Sequence, residues 1–366
     1  MKNEAISERQ GIVLITLFIL GNSLLIGPGG QAKQDAWIAI IISILCSSIL
    51  LLMFSKILSL YPGKDLYDVL QIVMGKFIGK IISILMIWFA FHTGTLVLRV
   101  LSEYTNTLVF TDTPVVVPMV FFAVLLIWSL KEGIEVLGRW AEFFIWIVFL
   151  LILIVSALSM SLMDIGRLKP ILNNGVTPIL KGTFSSFSFP FGQTVIFTMV
   201  FSNISKVKNY KKTFIVGLLL GGGILLLGTF RNLLVLSPEG ISRVYFPSNM
   251  VASLISIGGS LQRVEINVSL VFLVCAFIKV SICIFAICNG ISKVFEFHDY
   301  KFIATPVTFL MLSFSFFIYK SIMETAFFAA NIWQYYSFPF EVIIPLAIFI
   351  MAEIRIRNPA AKNATK

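Results

Sequence analysis

Two stretches decide how this chain is organised: Leu20-Gly21-Asn22-Ser23-Leu24-Leu25-Ile26-Gly27-Pro28-Gly29-Gly30 and Ser185-Ser186-Phe187-Ser188-Phe189-Pro190-Phe191-Gly192. Each interrupts a long apolar run with residues that weaken a helix. Glycine lowers helix propensity and proline removes a backbone donor, so each run can split into two half-helices. Reading outward from these breaks, apolar runs recur near residues 11–31, 37–60, 77–107, 114–130, 139–163, 181–203, 213–236, 264–289, 302–320 and 337–354. About 20 apolar residues suffice to cross ~30 Å of hydrocarbon as a helix. The expected fold is therefore an all-α membrane protein of about ten transmembrane helices, with helices 1 and 6 broken.

Five spans separate one break from the next. An odd repeat of five spans must insert its second copy upside down, which sets the two broken helices antiparallel about a pseudo-two-fold axis. Glycine and proline are common in membrane helices, where neighbours re-satisfy the backbone, and a single break would mean no more than that. Two breaks at corresponding positions point instead to a five-plus-five inverted repeat with a central binding site. The first repeat is expected at about 11–163 and the second at about 181–354, within one membrane domain over 1–366 that ends in a short tail, 355–366.

Composition agrees. The 366 residues are 58% hydrophobic and 13% charged, far from the roughly 25% charge of soluble domains. The net charge of +10 comes from short Lys and Arg clusters between apolar runs, not from a continuous basic face, so nucleic acid is not an expected partner. Placing the N-terminus inside puts 18 basic residues on the cytoplasmic side, Lys2, Lys206, Lys208, Lys211, Lys212, Lys362 and Lys366 among them, against 8 on the other. Cytoplasmic loops collect positive charge, so both termini are expected in the cytoplasm. The first run lacks a small-residue cleavage site and reads as a retained span.

The chemistry-bearing residues gather at the breaks. Unwound backbone and a half-helix end can receive an anion, and Asn22 and Ser23 add side-chain polarity beside Gly21 and Leu24. Across from them, Phe187, Ser188, Phe189 and Pro190 offer an aromatic wall and a hydroxyl, a pocket suited to a small zwitterion. Thr93 and Val97 of the third span are counted with this ligand-binding set; Phe187 and Phe189 read equally well as core or lipid-facing residues. Lys279 stands ten residues before Asn289, too deep to snorkel; such a lysine faces a bundle interior or an ion path, and it reads as a gating or coupling residue ahead of a structural pair. Arg99 and Glu103, four apart on one helix face, are either an outer gate or a structural bridge. Arg231 reads the same two ways, while Glu142, Glu265 and Glu341 read as interfacial. Gly75 with Gly79 and Gly217 with Gly221 have the spacing of helix-packing pairs.

No catalytic residue, metal site or cofactor is expected. Cys46, Cys275, Cys283 and Cys288 lack ligand spacing and read as free core thiols. His92 and His298 are far apart in topology, and no P-loop, H-E-x-x-H or G-x-S-x-G occurs.

Several segments together resemble one family. They are Leu20-Gly21-Asn22-Ser23-Leu24-Leu25 with Pro28, Asp35-Ala36-Trp37, Tyr61-Pro62, Gly75-Lys76-Phe77-Ile78-Gly79, Arg99 and Glu103. Leu168-Lys169-Pro170-Ile171-Leu172-Asn173-Asn174-Gly175 with Pro178-Ile179-Leu180, the Phe189-Pro190-Phe191-Gly192 break, Pro247 and Arg263-Val264-Glu265 follow in order. The chain resembles the spore germination permease family, the B subunits of germinant receptors, within the amino acid–polyamine–organocation superfamily. The resemblance implies a germinant-sensing subunit in a spore inner membrane or cell membrane, with A and C subunits as partners and a small nutrient as ligand. The alternative it leaves open is a proton-coupled amino-acid transporter. Family members often carry a carboxylate just after the glycine of the sixth-span break; Gln193 and Thr194 stand there in this chain, which argues against acid-based proton coupling at that position.

Overall fold

The computed structural model describes residues 6–201, 209–255 and 263–357, all helical or connecting, with no strand among them. Lys2, Lys206, Lys208, Lys362 and Lys366 of the charge asymmetry, and residues 358–366 of the expected tail, lie outside the described residues. Among the described residues, seven helical segments are each long and apolar enough to cross a membrane: Glu8–Ile26, Gly30–Leu60, Lys76–Val109, Ile134–Leu158, Tyr210–Ser242, Glu265–Phe295 and Trp333–Arg357. An eighth is the pair Lys301–Phe317 and Ile322–Asn331, bent by 100°. The 17-residue Val116–Glu132 helix and the broken segment from 176 to 199 complete the ten expected spans.

The two breaks form as glycine and proline dictate. The first helix, Glu8–Leu20, opens on a capping box from Ser7 and Gln10 and stops at Gly21, whose φ of 21° and ψ of −122° leave the helix. A short turn, Ser23–Ile26, follows. Pro28 brings no N–H for the carbonyl four residues back, and that carbonyl, Leu24 O, accepts instead from Ser248 Oγ at 2.5 Å. Asn232 Nδ2 donates to the same hydroxyl at 3.1 Å and is itself held by Arg231, 3.0 Å from its Oδ1. Arg231 is thus a structural cation that braces the first break. The sixth span runs Val176–Ser186, widens to a turn at Phe187–Phe191 where Phe189 is extended (φ −131°, ψ 111°), and continues as Gly192–Met199.

Packing follows the five-plus-five pattern. The first span packs on the seventh, and the sixth on the second; the third packs on the eighth, the second on the seventh and the fourth on the ninth. Exchanging each span for the one five places away maps these pairs onto one another or onto themselves. The connecting helices obey the same exchange: Leu66–Met74 lies between the second and third spans, and Pro247–Ser253 between the seventh and eighth. Gly217 and Gly221 let the seventh span approach the first, since a Cβ at either would press on Ile15 or Ile19. Gly79 packs against the backbone of Gln71, whereas Gly75 takes a φ of 82° in a turn.

The face that carries Glu8 and Arg357 is closed. Phe18, Phe54, Phe197, Phe201 and Phe214 are wholly buried there and meet ring to ring, with Phe197 and Phe201 centroids 4.9 Å apart. At its edge the buried Asp65 accepts from Lys293 Nζ at 2.6 Å and from Asn289 Nδ2 at 2.7 Å, and Asn289 also donates to Met199 O at the end of the sixth span. Burial is the largest influence on the Asp65 carboxyl and raises its pKa, against the pull of Lys293.

Three expectations are corrected. Cys46 is exposed on the outer surface while the other three cysteines are buried. The final span starts at Trp333, not near 337, which moves Glu341 from the interface to a fully buried position. The helix also continues through Arg357, so the tail begins later than 355.

The Asp65–Lys293 clamp yields a test. Lys293→Ala leaves the buried Asp65 carboxyl without its cation, held by Asn289 alone among the side chains, and costs about 2 kcal/mol, short of a fully buried pair because Lys293 keeps some contact with water. Adding Asp65→Asn recovers part of that loss. Thermal unfolding of the purified protein in detergent measures both; a double variant no more stable than Lys293→Ala excludes the clamp.

Candidate functional site

A cavity of about 650 Å³ starts at the two breaks and widens toward the face opposite the termini. Its floor holds Asn22, Thr93, Phe189 and Gln193; Val97, Val100 and Glu103 of the third span form one wall. The rim comes from residues 238–247 and from the short helix Ile322–Asn331, with Trp333 below it.

Lys279 lies directly beneath the floor. It is wholly buried, donates from Nζ to Asn22 Oδ1 at 3.3 Å, and its ammonium stands 4.9 Å from the Phe18 ring and 5.1 Å from the Phe189 ring. The two rings come from opposite breaks, so one cation ties both broken spans together. Gly21 is what admits it: a Cβ there would sit 2.5 Å from Lys279 Cδ. With Asn22 Oδ1 engaged by the ammonium, Asn22 keeps its amide N–H donors for the cavity. Thr93 Oγ1 and Gln193 Oε1 are buried at the floor without a partner among the described residues. Donors and acceptors therefore face one small volume, the arrangement needed to receive a molecule carrying both kinds of group.

The candidate residues divide into three sets. Asn22, Thr93, Val97 and Phe189 line the cavity, and Glu103 lines its upper wall, ion-paired with Arg99 along the same helix. Gly21, Ser23, Ser188 and Lys279 form a buried layer just behind. Leu24 points toward Gly228 of the seventh span, and Phe187 and Pro190 belong to the packing of the break. Gln193, Ser185, Thr325 and Trp333 also line the cavity. Ser185 lies in the break quoted from the sequence and Gln193 directly after it, though neither is counted with the ligand-binding set; nothing in local sequence marks Thr325 and Trp333, which reach the cavity through the bend after the ninth span.

The loop segment carrying the family motif also has a place. Asp35 accepts from Leu172 N at 3.1 Å and Gln34 donates to Pro170 O at 3.1 Å, so residues 168–175 are held against the start of the second span.

Comparison with known proteins gives the family. The profile of the family described as "Spore germination protein" matches residues 5–328. The chain belongs to this spore germination permease family. It is 31% identical to spore germination protein KB of Bacillus subtilis (strain 168) over 356 residues, 96% of this chain and 95% of that protein. Spore germination protein YndE of the same strain is 23% identical over 80% of this chain and 81% of its own length. Spore germination protein A2 is 26% identical over 49% of this chain and 51% of its own. The permease fold and the membrane setting thus rest on family membership as well as on the helices.

The cavity predicts a pattern of thiol access. In a Cys46→Ser background, a polar methanethiosulfonate reagent labels Ala329→Cys at the rim at least roughly tenfold faster than Ala286→Cys, which is wholly buried beside Tyr67 of the connecting helix. Equal rates, read by mass spectrometry, would rule the open cavity out.

Proposed function

We propose that this permease is the nutrient-sensing membrane subunit of a spore germination receptor, acting with A-type and C-type subunits. The observation that carries the reading is the cavity floor, where Asn22 amide donors meet the unpartnered Thr93 and Gln193 oxygens directly above a buried ammonium. A small zwitterion such as an amino acid satisfies these groups at once: its carboxylate accepts from Asn22, and its ammonium donates to Gln193 and Thr93. The apolar wall of Val97, Val100 and Phe189 takes its side chain.

The ligand touches both broken spans through Asn22 and Phe189, and so acts where the two repeats meet. A ligand shifts an equilibrium only by its differential affinity for two states. Closure of the rim over the ligand supplies that difference, and the Asp65–Lys293 clamp on the far face is the part that must yield. In this reading the clamped face is the cytoplasmic one, the cavity faces outward, and partner subunits receive the movement.

A working proton-coupled transporter is the second reading, favoured by the same broken-span layout. Reconstituting the chain alone and measuring uptake of labelled amino acids, with and without a pH gradient, separates the two. No concentrative uptake is expected.

In spores carrying the permease with its partner subunits, Asn22→Leu and Gln193→Leu each raise the nutrient concentration needed for half-maximal germination at least ~tenfold, about 1.4 kcal/mol of binding. Gly21→Val, which collides with Lys279, abolishes the response. Lys279→Met shifts the dose response as well, because Asn22 loses the partner that orients it. Unchanged sensitivity in Asn22→Leu and Gln193→Leu, with normal protein levels, would sink the central-pocket assignment.

A further inference from the structure

The last span carries one acid in its interior, and the ligand cavity does not use it. Glu341 lies eight residues after Trp333, the start of that span, about 12 Å along the helix at ~1.5 Å per residue. It stands in a wide turn, Pro339–Ile343, of the kind that often marks a functional position. It is fully buried, and neither carboxyl oxygen meets a donor among the described residues. The carboxyl fills the space beside Gly192, where a Cβ would overlap it. The glycine of the sixth-span break is therefore a seat for an acid that comes from another helix.

The surroundings of Glu341 are polar but unpaired. Ser188 of the sixth span and Ser337 of its own helix lie beside it, both hydroxyls buried and close enough to act on the carboxyl, though neither closes a hydrogen bond of normal geometry among the described residues. Lys279 of the eighth span is the charged group that acts on it, without reaching ion-pair distance. The third span offers Phe89, stacked on Phe340, and next to it His92, packed on Tyr336. The second span has no charged side chain between Asp35 and Lys56.

A carboxylate with no donor in such a place is costly, whereas a carboxylic acid needs only one acceptor, which either hydroxyl supplies. A modest shift of the broken segment reverses the balance. If Ser188 and Ser337 both turn their hydroxyls to the carboxyl and the Lys279 ammonium closes on it, the charged form is solvated by the protein. We infer that Glu341 is a proton-binding site coupled to the break of the sixth span. It holds a proton in the arrangement seen here; when the sixth span moves, its O–H bond breaks, the proton passes to water of the cavity, and the carboxylate is left paired with Lys279. A metal cation is the poorer occupant, because two hydroxyls and one carboxyl beside an ammonium fall short of the oxygen shell a hard cation requires. This inference is independent of which nutrient the cavity takes.

Full-length protein in phosphatidylglycerol–phosphatidylethanolamine nanodiscs tests it by infrared difference spectroscopy between about pH 5 and about pH 9. The wild type shows a protonated-carboxyl stretch that Glu341→Gln lacks and that Ser337→Ala, which keeps the acid, displaces. The second readout is labelling of Ala329→Cys in the Cys46→Ser background, corrected for thiolate fraction. Its rate changes at least ~threefold over that range with Glu341 present and is flat in Glu341→Gln. The site is overturned by the absence of a carboxyl band that responds to Ser337→Ala. The coupling is overturned by labelling that ignores pH in the wild type, that keeps its pH dependence in Glu341→Gln, or that follows sodium at fixed pH. If Glu341→Gln does not fold, the wild-type band and its response to Ser337→Ala still decide the matter.

Discussion

Everything in this structure depends on how broken backbone is kept satisfied at membrane depth. Non-helical segments survive there only where protein groups replace water, and an unmet peptide group costs several kcal/mol. At the first break the carbonyl left without a donor by Pro28 is taken by Ser248, which is held in turn by Asn232 and Arg231. The seventh span and the short helix after it are thereby fixed against the first. At the floor, Lys279 performs the complementary task, binding Asn22 and lying between the rings of Phe18 and Phe189. The cost of burying its ammonium is offset only while both breaks stay around it, so the cation and the breaks specify one another.

The exchange of spans by five explains why the site is where it is. In an inverted repeat the two broken helices must meet at the pseudo-two-fold axis, and the helices packed beside them, the third and the eighth, are each other's counterparts. Thr93 and Val97 from one and Lys279 from the other therefore reach the same centre without being near in sequence. The symmetry is not complete. Ile322–Asn331, bent by 100° off the end of Lys301–Phe317, corresponds in the first repeat to the single residue Gly133 between two helices. This added helix forms part of the cavity rim, so access to the cavity differs between the two faces for a reason built into the chain.

Much of this was legible in the residues. Gly21, Pro28, Pro190 and Gly192 announce the breaks, because glycine and proline act locally, and Lys279 stands out because an ammonium in an apolar run has few explanations. Ser185 and Gln193 flank a break the sequence announces, but their place in the cavity lining was not legible, and Thr325 and Trp333 were not marked at all, since they reach the cavity through a 100° bend after the ninth span that no local pattern encodes. Glu341 shows the failure most clearly. The apolar run reads as starting near 337, yet the helix begins at Trp333 and runs through Pro339 by opening into a wide turn. A shift of four residues in one boundary moved a carboxyl from the interface to the interior. Charge asymmetry gave an orientation, but it speaks to insertion and not to packing.

The polar groups left without partners bear on how the protein moves. Thr93 Oγ1, Gln193 Oε1 and the Glu341 carboxyl are buried in the centre without a hydrogen bond of normal geometry among the described residues, whereas Asp65, Lys293 and Asn289 on the terminal face are fully engaged. Buried polar groups that await partners raise the energy of the arrangement that holds them, and satisfied networks lower it. The molecule thus keeps its unmet hydrogen-bonding capacity where a ligand can enter and its satisfied contacts where the bundle must stay shut. A ligand that supplies the missing partners stabilises the centre, and any arrangement that improves those contacts further draws the two repeats together at the expense of the clamp. In the proposed function, the imbalance between an unsatisfied middle and a satisfied edge is what lets a small molecule at the floor be felt on the opposite face.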